Sequence, residues 1–547
     1  MEIHGYIHGR NLGEIVFSYD SLQPDGSPTD IELGQLLMVP DQSGMGEFLV
    51  RVTDIEFGQT VWAEEVARNL KDLRYLNVKD EHEHPTEVYQ SDQKNQLLYH
   101  ALCEPLGYIS PDQHFLSVKR PPSYFSPVRK ISAEDFEGDF GEKVGDLPLG
   151  NLRSASSEMN VRAGLFKKLL PYHVGLFAKT GGGKSNAMKV LLRSIMATRG
   201  EAGALIFDPH GEYIQDLNRH PLAKETLVSF AQEARNTARK IRLSYEDISI
   251  EALLNVRDQL HWSDAQERLL REASYDHGRG WLQVLTDTPV SEEERKGDPT
   301  DLSFLEGDGD EKTLQQLFPD YKDDTLKATR SKLRQVLDAP YIVRDRSVSN
   351  VEEILTLLEQ GKTVLVDMAS LVGLHELLLS TVLATKVMGK RRLAYSKNRE
   401  QLMREAPSVS IVMEEAQRVL GKHTNQSSVF AQICNEGRKF KVGLIAITQQ
   451  PKLMNEILMS QFNSLIILAI TDEADFKVLN SIAQKPIHKL SREIGALMPG
   501  QAIITSSDAP FAVPLKIDFY EDVIKRDQKE YEGDRKAPGI DRFKGFT

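Results

Sequence analysis

At 547 residues the chain is far longer than one ordinary domain, so its length points to about two to four domains with sizeable buried cores. Hydrophobic residues make up 40% and charged residues 27%, no run reaches the roughly 18–20 apolar residues of a membrane span, and the start "MEIHGYIHGR" lacks the pattern of a secretory signal, so the expected compartment is cytoplasmic, with no membrane partner. Cys103 and Cys434 are too few and too far apart for a disulfide framework or zinc site, and a formal charge of -13 argues against a surface coated in nucleic acid while leaving room for a local basic channel.

From residue 1 to about 125, short β-type runs alternate with turn residues. "EIVFSYD", "QLLMVP", "EFLVRVTDI" and "QTVWAE", with Gly26, Gly34, Gly44, Gly46 and Gly58 nearby, predict a small β-barrel or sandwich over 1–130. Pro121, Pro122 and Pro127 mark a linker. The pattern then changes to apolar strands alternating with helices, the α/β signature, over 131–245 and again over 346–520. Predicted strands are "HVGLFA", "AGALIFD", "KTVLVDMA", "SVSIVMEE", "VGLIAITQ" and "SLIILAI", with an amphipathic helix in "SNAMKVLLRSIMATR". Between them, 246–345 reads as a helical insertion, with "DAQERLLREASYDHGRGWLQVL" and "DDTLKATRSKLRQVL" flanking an acidic loop from Asp287 to Glu311. The polar tail 521–547 has little to bury and is expected to be disordered or ordered by a neighbouring subunit.

"AKTGGGKS", residues 178–185, closes a glycine run that follows a buried strand and opens a helix, as a phosphate cradle requires. Glycines let backbone N–H groups approach phosphate oxygens, and the helix start adds its positive dipole end. The nucleotide-binding set is Thr180, Gly181, Gly182, Gly183, Lys184, Ser185 and Asn186, with Lys184 reaching the β and γ phosphates and Ser185 ligating magnesium. Ala178 stands where the full P-loop pattern begins with glycine, a small departure because that position ends a strand.

"SIVMEEAQ" carries two carboxylates to the end of a strand, where α/β sheets bind ligands. Glu414 is placed to hold magnesium through water and Glu415 to polarise the attacking water; the competing reading is a pair of solvated acids at a helix start. "AITQQ" ends another strand, and Gln449 there can position water or bond the γ-phosphate, or be a plain turn residue.

"LPYHVGLFAKTGGGKS", "ALIFDPHGEY", "IVMEEAQ", "NEGRKFKVGLIAITQQP" and "SQFNSLIILAI", in this order, resemble the HerA family of hexameric DNA-translocating ATPases, relatives of the FtsK-type motors. The β region in front is similar to that family's barrel, and "LMPGQAII" and "APFAVPLKIDF" look like its closing strands. The resemblance runs from about residue 3 to 520 and is weakest in the helical insertion. It implies an α/β fold with a RecA-like (ASCE P-loop) core, an N-terminal β-barrel, a homohexamer with ATP and Mg2+ at subunit interfaces, and duplex DNA in a central pore. Arg438 matches the arginine finger given to a neighbour's γ-phosphate, against a bland reading as a helix-terminal cation, with Lys439 or Lys441 as substitutes. Asp208 or Glu212 of "FDPHGEY" is expected to orient magnesium-bound water, and Gln461 and Asn463 match positions near the site. His210 has no second histidine at ligand spacing.

The DNA candidate is "KVMGKRRLAYSKNR", with Lys386, Lys390, Arg391, Arg392, Lys397 and Arg399, of which Lys390, Arg391 and Arg392 are the proposed contacts; a solvated helix face explains these cations equally well. Two functions follow. One is a motor feeding duplex DNA to a partner nuclease of the NurA type in end processing, repair or antiviral defence. The other is an ATP-controlled ring that activates an effector, such as a sirtuin-like protein, docked on the barrel.

Overall fold

The computed structural model describes residues 2–3, 5–11, 13–20, 29–41, 44, 46–57, 98–136, 139–233, 237–292, 294, 312–371 and 373–536. The predicted strand "QTVWAE", Gly26, Gly58, most of the acidic loop and the last eleven tail residues, 537–547, lie outside them. The chain divides into two compact units, one of 1–166, 178–183 and 464–518, the other of 167–177, 184–463 and 519–547.

The first unit opens with an eight-stranded antiparallel sheet. Its main path runs Glu2–Ile3, Val128–Lys130, Leu36–Pro40, Glu47–Phe57, Leu98–Ile109, Glu14–Asp20 and Gly5–Asn11, with Phe115–Leu116 paired beside Leu98–Ile109. The two strands at opposite ends of that path, Glu2–Ile3 and Gly5–Asn11, are neighbours in the sequence, so the sheet curls, which supports in part the barrel expected from the glycine-punctuated runs. Alternate residues fill the interior: Ile15 and Phe17, Leu37 and Val39, Phe48, Val50 and Val52, with Ala101 and Cys103. Burial pushes the Cys103 thiol up to about 12, and that of Cys434 likewise to about 12, so both behave as packing residues.

A second antiparallel sheet of this unit orders Ser157–Leu165, Leu147–Ser154, Val513–Ile517, Gln501–Thr505 and Ser464–Ile467. The closing strands of the sequence therefore return to the unit that begins the chain. A buried ion triad joins the curled sheet to these segments. Glu493 lies 2.7 Å from Arg51 Nη2 and 2.7 Å from Arg153 Nη2, with the three side chains at 5% exposure or less. Arg51 also donates to the carbonyl of Ala512 at 2.7 Å. Gly34 permits the approach, because a Cβ there would sit 2.5 Å from the Glu493 carboxyl carbon.

The second unit is built on a parallel sheet in the order Val174–Phe177, Val442–Thr448, Ser408–Met413, Ala202–Asp208, Thr363–Asp367, Leu227–Ala231 and Arg239–Lys240. The predicted apolar runs form these strands because crossover helices cover both faces of such a sheet. Helix Lys184–Ala197 follows the first strand directly. The insertion is helical, as expected, with Asp264–His277, Trp281–Asp287 and Asp323–Leu337 packing around Leu269, Leu282, Leu285, Leu326 and Leu333. Among the described residues no helix is long and apolar enough to cross a membrane.

The tail departs from expectation. Tyr520–Lys536 is a helix of 17 residues docked on its own protomer. Tyr520, Val523, Ile524 and Asp527 are buried at i, i+3, i+4 and i+7 spacing, and Asp527 accepts from Arg193 Nε at 2.6 Å while lying 3.0 Å from His220 Nε2. Arg219 grips Glu521 through two bonds of 2.9 and 3.0 Å. Sequence alone undervalues this segment because half of its docking is polar and its partners lie some 300 residues away.

Burial alone would raise the Glu493 pKa, but the guanidiniums of Arg51 and Arg153 override it and hold the carboxyl below its usual range. A depressed folded-state pKa means that the stabilisation is complete above the unfolded value, near pH 4.3, and drains away as pH falls through the folded value. Glu493→Gln leaves two buried guanidiniums without a counter-charge and should cost about 3–5 kcal/mol at pH 7. Urea unfolding should show that deficit, and show it shrinking below about pH 4; equal midpoints at pH 7 would contradict the assignment. For the tail, Asp527→Asn should speed amide exchange across 520–536 while the parallel strands stay protected, whereas unchanged exchange would mean that the apolar contacts suffice.

Candidate active site at the ends of the parallel strands

Strand Val174–Phe177 ends at Ala178, and the chain turns through three glycines before helix Lys184–Ala197 begins. Gly181 and Gly183 have φ of +75° and +95°, a conformation that side chains disfavour, and Gly182 passes so close beneath that a Cβ would lie 3.0 Å from the Lys179 carbonyl and 3.1 Å from the Ala178 methyl. Ala178 is fully buried, so alanine fits where the usual pattern has glycine and a larger residue would press on the turn. A helix start offers N–H groups that have no intrahelical acceptor and the positive end of the dipole, which suits an anion.

Within the second unit, the first helical turn meets a set of acids. Ser185 Oγ donates to Glu212 Oε2 at 2.5 Å. Burial pushes the Lys184 ammonium pKa down, while the charges of Glu414 and Glu212 oppose that shift. Glu414 follows strand Ser408–Met413 directly; burial raises its pKa, the Tyr213 hydroxyl bonded to its Oε1 works against that, and the charges of Glu212 and Asp208 add to the rise. The oxygen-only donors Ser185, Glu212 and Glu414 suit magnesium. Among the described residues no three His, Cys, Asp or Glu side chains form a metal cage.

Asp208 is one of the two acids expected to orient magnesium-bound water. It ends strand Ala202–Asp208 fully buried, and its two oxygens accept the N–H groups of Glu212 at 3.1 Å and Tyr213 at 2.9 Å. Burial raises its pKa in spite of those bonds. Its carboxylate folds the loop after the strand and is occupied in doing so.

Glu415 has φ and ψ of +47°, a left-handed conformation rare in a non-glycine residue and worth about 1–3 kcal/mol of strain. Its side chain is 44% exposed, with His210 Nε2 3.8 Å and Arg418 Nη1 3.9 Å from its carboxylate oxygens. On the neighbouring strand, Thr448 donates to Gln417 Oε1 at 2.7 Å and accepts the Gln450 N–H at 3.0 Å, which leaves Gln449 exposed at the strand tip. Sequence reading missed Gln417 and Tyr213, since both lie in turns beyond the strand ends and a tyrosine does not signal phosphate chemistry.

Of the three cations weighed as a finger, Lys441 is occupied, donating to the carbonyls of Ala406 and Met403. Arg438 and Lys439 are exposed on the turn Gly437–Phe440, and Arg438 makes no side-chain hydrogen bond or ion pair among the described residues. Asn186 accepts the Tyr520 N–H at 2.9 Å, which ties the start of the C-terminal helix to the residue after Ser185. Thr180 and Gln461 are exposed, and the Asn463 N–H donates to the Tyr172 carbonyl at 2.9 Å.

The basic stretch on helix Leu374–Lys397 is mostly paired. Arg391 is fully buried with Nε 2.9 Å from Glu359, so it is a core ion pair and not a surface contact, which corrects the expectation for it. Arg392 bonds Glu436 and Gln432 and lies over the Phe440 ring, Lys386 lies 3.6 Å from Asp247, and Lys390 lies 3.9 Å from Glu352. A buried position looks like a surface one here because arginine and lysine share helical spacing with the exposed cations around them.

Residues 147–387 match the family described as Helicase HerA, central domain. The chain is 27% identical over 460 residues to the DNA double-strand break repair helicase HerA of Saccharolobus solfataricus, covering 79% of this chain and 82% of that one. It is 26% identical over 416 residues to the protein of the same name from Sulfolobus acidocaldarius, with 75% and 76% covered, and 26% identical over 406 residues to that from Pyrococcus furiosus, with 67% of each covered. Residues 147–387 thus carry the HerA central domain, and the chain is similar over most of its length to these HerA helicases.

Proposed function

We propose that the protein is an ATP-driven DNA translocase that works as a ring, hydrolysing ATP at subunit interfaces and passing duplex DNA to a nuclease partner. The observation that carries this reading is the pairing of an equipped site with an unused cation. Lys184, Ser185, Glu212 and Glu414 gather in one place, while Arg438 has no side-chain partner among the described residues. The names of the relatives supply the DNA substrate.

In this reading the glycine turn and the first turn of the helix receive the phosphates through N–H groups, and Lys184 carries positive charge to the β and γ oxygens. Ser185 and Glu414 would hold magnesium, which would offset the negative charge that develops on the phosphates. Glu415, held away from the strand by its left-handed turn, polarises the attacking water, and Gln449 orients it. Arg438 stabilises the transition state in the neighbouring protomer, so turnover depends on assembly. Because the basic helix is largely paired, charge for DNA comes from exposed groups such as Lys397 and from residues brought together by the ring.

Glu415→Gln should keep ATP affinity and lower kcat by about 10²–10⁴-fold; turnover near that of the native protein would remove it as the base. Arg438→Ala should lower kcat by about 10³–10⁵-fold with little change in nucleotide affinity, and mixing it with Lys184→Ala subunits should restore part of the rate. No recovery in mixed assemblies would oppose a finger acting in trans. The motor itself is tested by ATPase assays with and without duplex DNA and by displacement of a third strand from a triplex. ATP-dependent displacement with DNA-stimulated turnover is expected, whereas DNA-independent turnover with no displacement would favour an effector-activating ring.

A further inference from the structure

We propose that Tyr213 is a positioning residue for the magnesium-side carboxylate Glu414, and that the loop Asp208–Tyr213 is a clamp whose last two residues grip the two groups that face the cation. The proposal rests on the reading of Glu414 and Ser185 given above. Tyr213 is fully buried, and a buried hydroxyl has to find an acceptor; its partner is Glu414 Oε1. Phenylalanine would fill the same space without that need, so the hydroxyl is the part of this side chain that packing does not explain.

The mounting is stiff. The Tyr213 N–H donates to Asp208 Oδ2, and Asp208 ends a strand that pairs directly with the strand of Glu414, with Phe207 opposite Met413. The phenol is therefore referred, through one carboxylate and one strand register, to the residue it bonds. Tyr213 takes one oxygen of Glu414, and the other, Oε2, accepts no hydrogen bond among the described residues. That oxygen stays available to a metal-bound water. One residue earlier in the same loop, Glu212 holds the hydroxyl of Ser185. Neighbouring side chains of a single loop thus fix the serine from one side and the carboxylate from the other, and outer partners of this kind set metal affinity through ligand orientation.

The test is Tyr213→Phe, read by binding of a fluorescent, non-hydrolysable ATP analogue across a magnesium titration. Affinity without magnesium should match the native protein, while the magnesium concentration for half-maximal effect should rise roughly 10-fold. Glu414→Gln should show a rise of its own, and Tyr213→Phe should add nothing in that background. A native magnesium dependence in Tyr213→Phe, beside a shifted one in Glu414→Gln, overturns the role of Tyr213. A native dependence in Glu414→Gln overturns the underlying reading of Glu414 and the proposal with it. Should Tyr213→Phe fail to fold, Glu414→Asp withdraws the carboxylate from the intact phenol. A raised magnesium requirement there supports the pairing, and an unchanged one overturns it.

Discussion

A parallel sheet sends every strand out at the same edge, and the chemistry of this protein is arranged around that constraint. Asp208, Asp367, Glu414 and Gln449 all stand at or just beyond strand ends within one unit. Strand register sets their spacing: Asp208 is opposite Asp367, and Phe207 is opposite Met413, the residue before Glu414. These four groups need no loop to place them, because each sits within a residue or two of a hydrogen-bonded ladder; Lys184, Ser185 and Glu212 come from the segments that follow the strands.

That gathering creates an electrostatic problem, since buried carboxylates at close quarters raise one another's pKa. The structure meets it with a separate device for each of the two buried acids. Asp208 accepts backbone N–H groups of the loop it organises and Glu414 accepts the Tyr213 phenol, while the exposed Glu212 accepts the Ser185 hydroxyl. Lys184 stands in the field of Glu212 and Glu414. Glu415 escapes through its left-handed turn and remains half in solvent, where it can reach water. In the other unit the same difficulty has the opposite sign, with two arginines confined around the single carboxylate of Glu493.

Much of this was legible in the sequence, and the reasons separate cleanly. Because both faces of a parallel sheet are buried, the apolar run "AGALIFD" matches its strand to the residue, and "SVSIVMEE" runs two residues past its strand. The glycine run announced its turn because the backbone conformation demands it. What stayed hidden depended on partners distant in the chain. The C-terminal helix looks soluble until Arg193 and His220 are seen against Asp527; Arg391 looks exposed until Glu359 is seen beside it; and Tyr213 looks like a core aromatic until its hydroxyl is traced to Glu414. Periodicity reads local burial, and it does not read which polar groups meet across a sheet.

The central claim is that a complete hydrolytic site requires two protomers. It is tested most directly by specific ATPase activity as a function of protein concentration, followed in parallel with molecular mass in solution. The account predicts low activity per chain at dilution, rising with the assembled fraction to a plateau. Full activity per chain in a preparation that is monomeric by mass would contradict it.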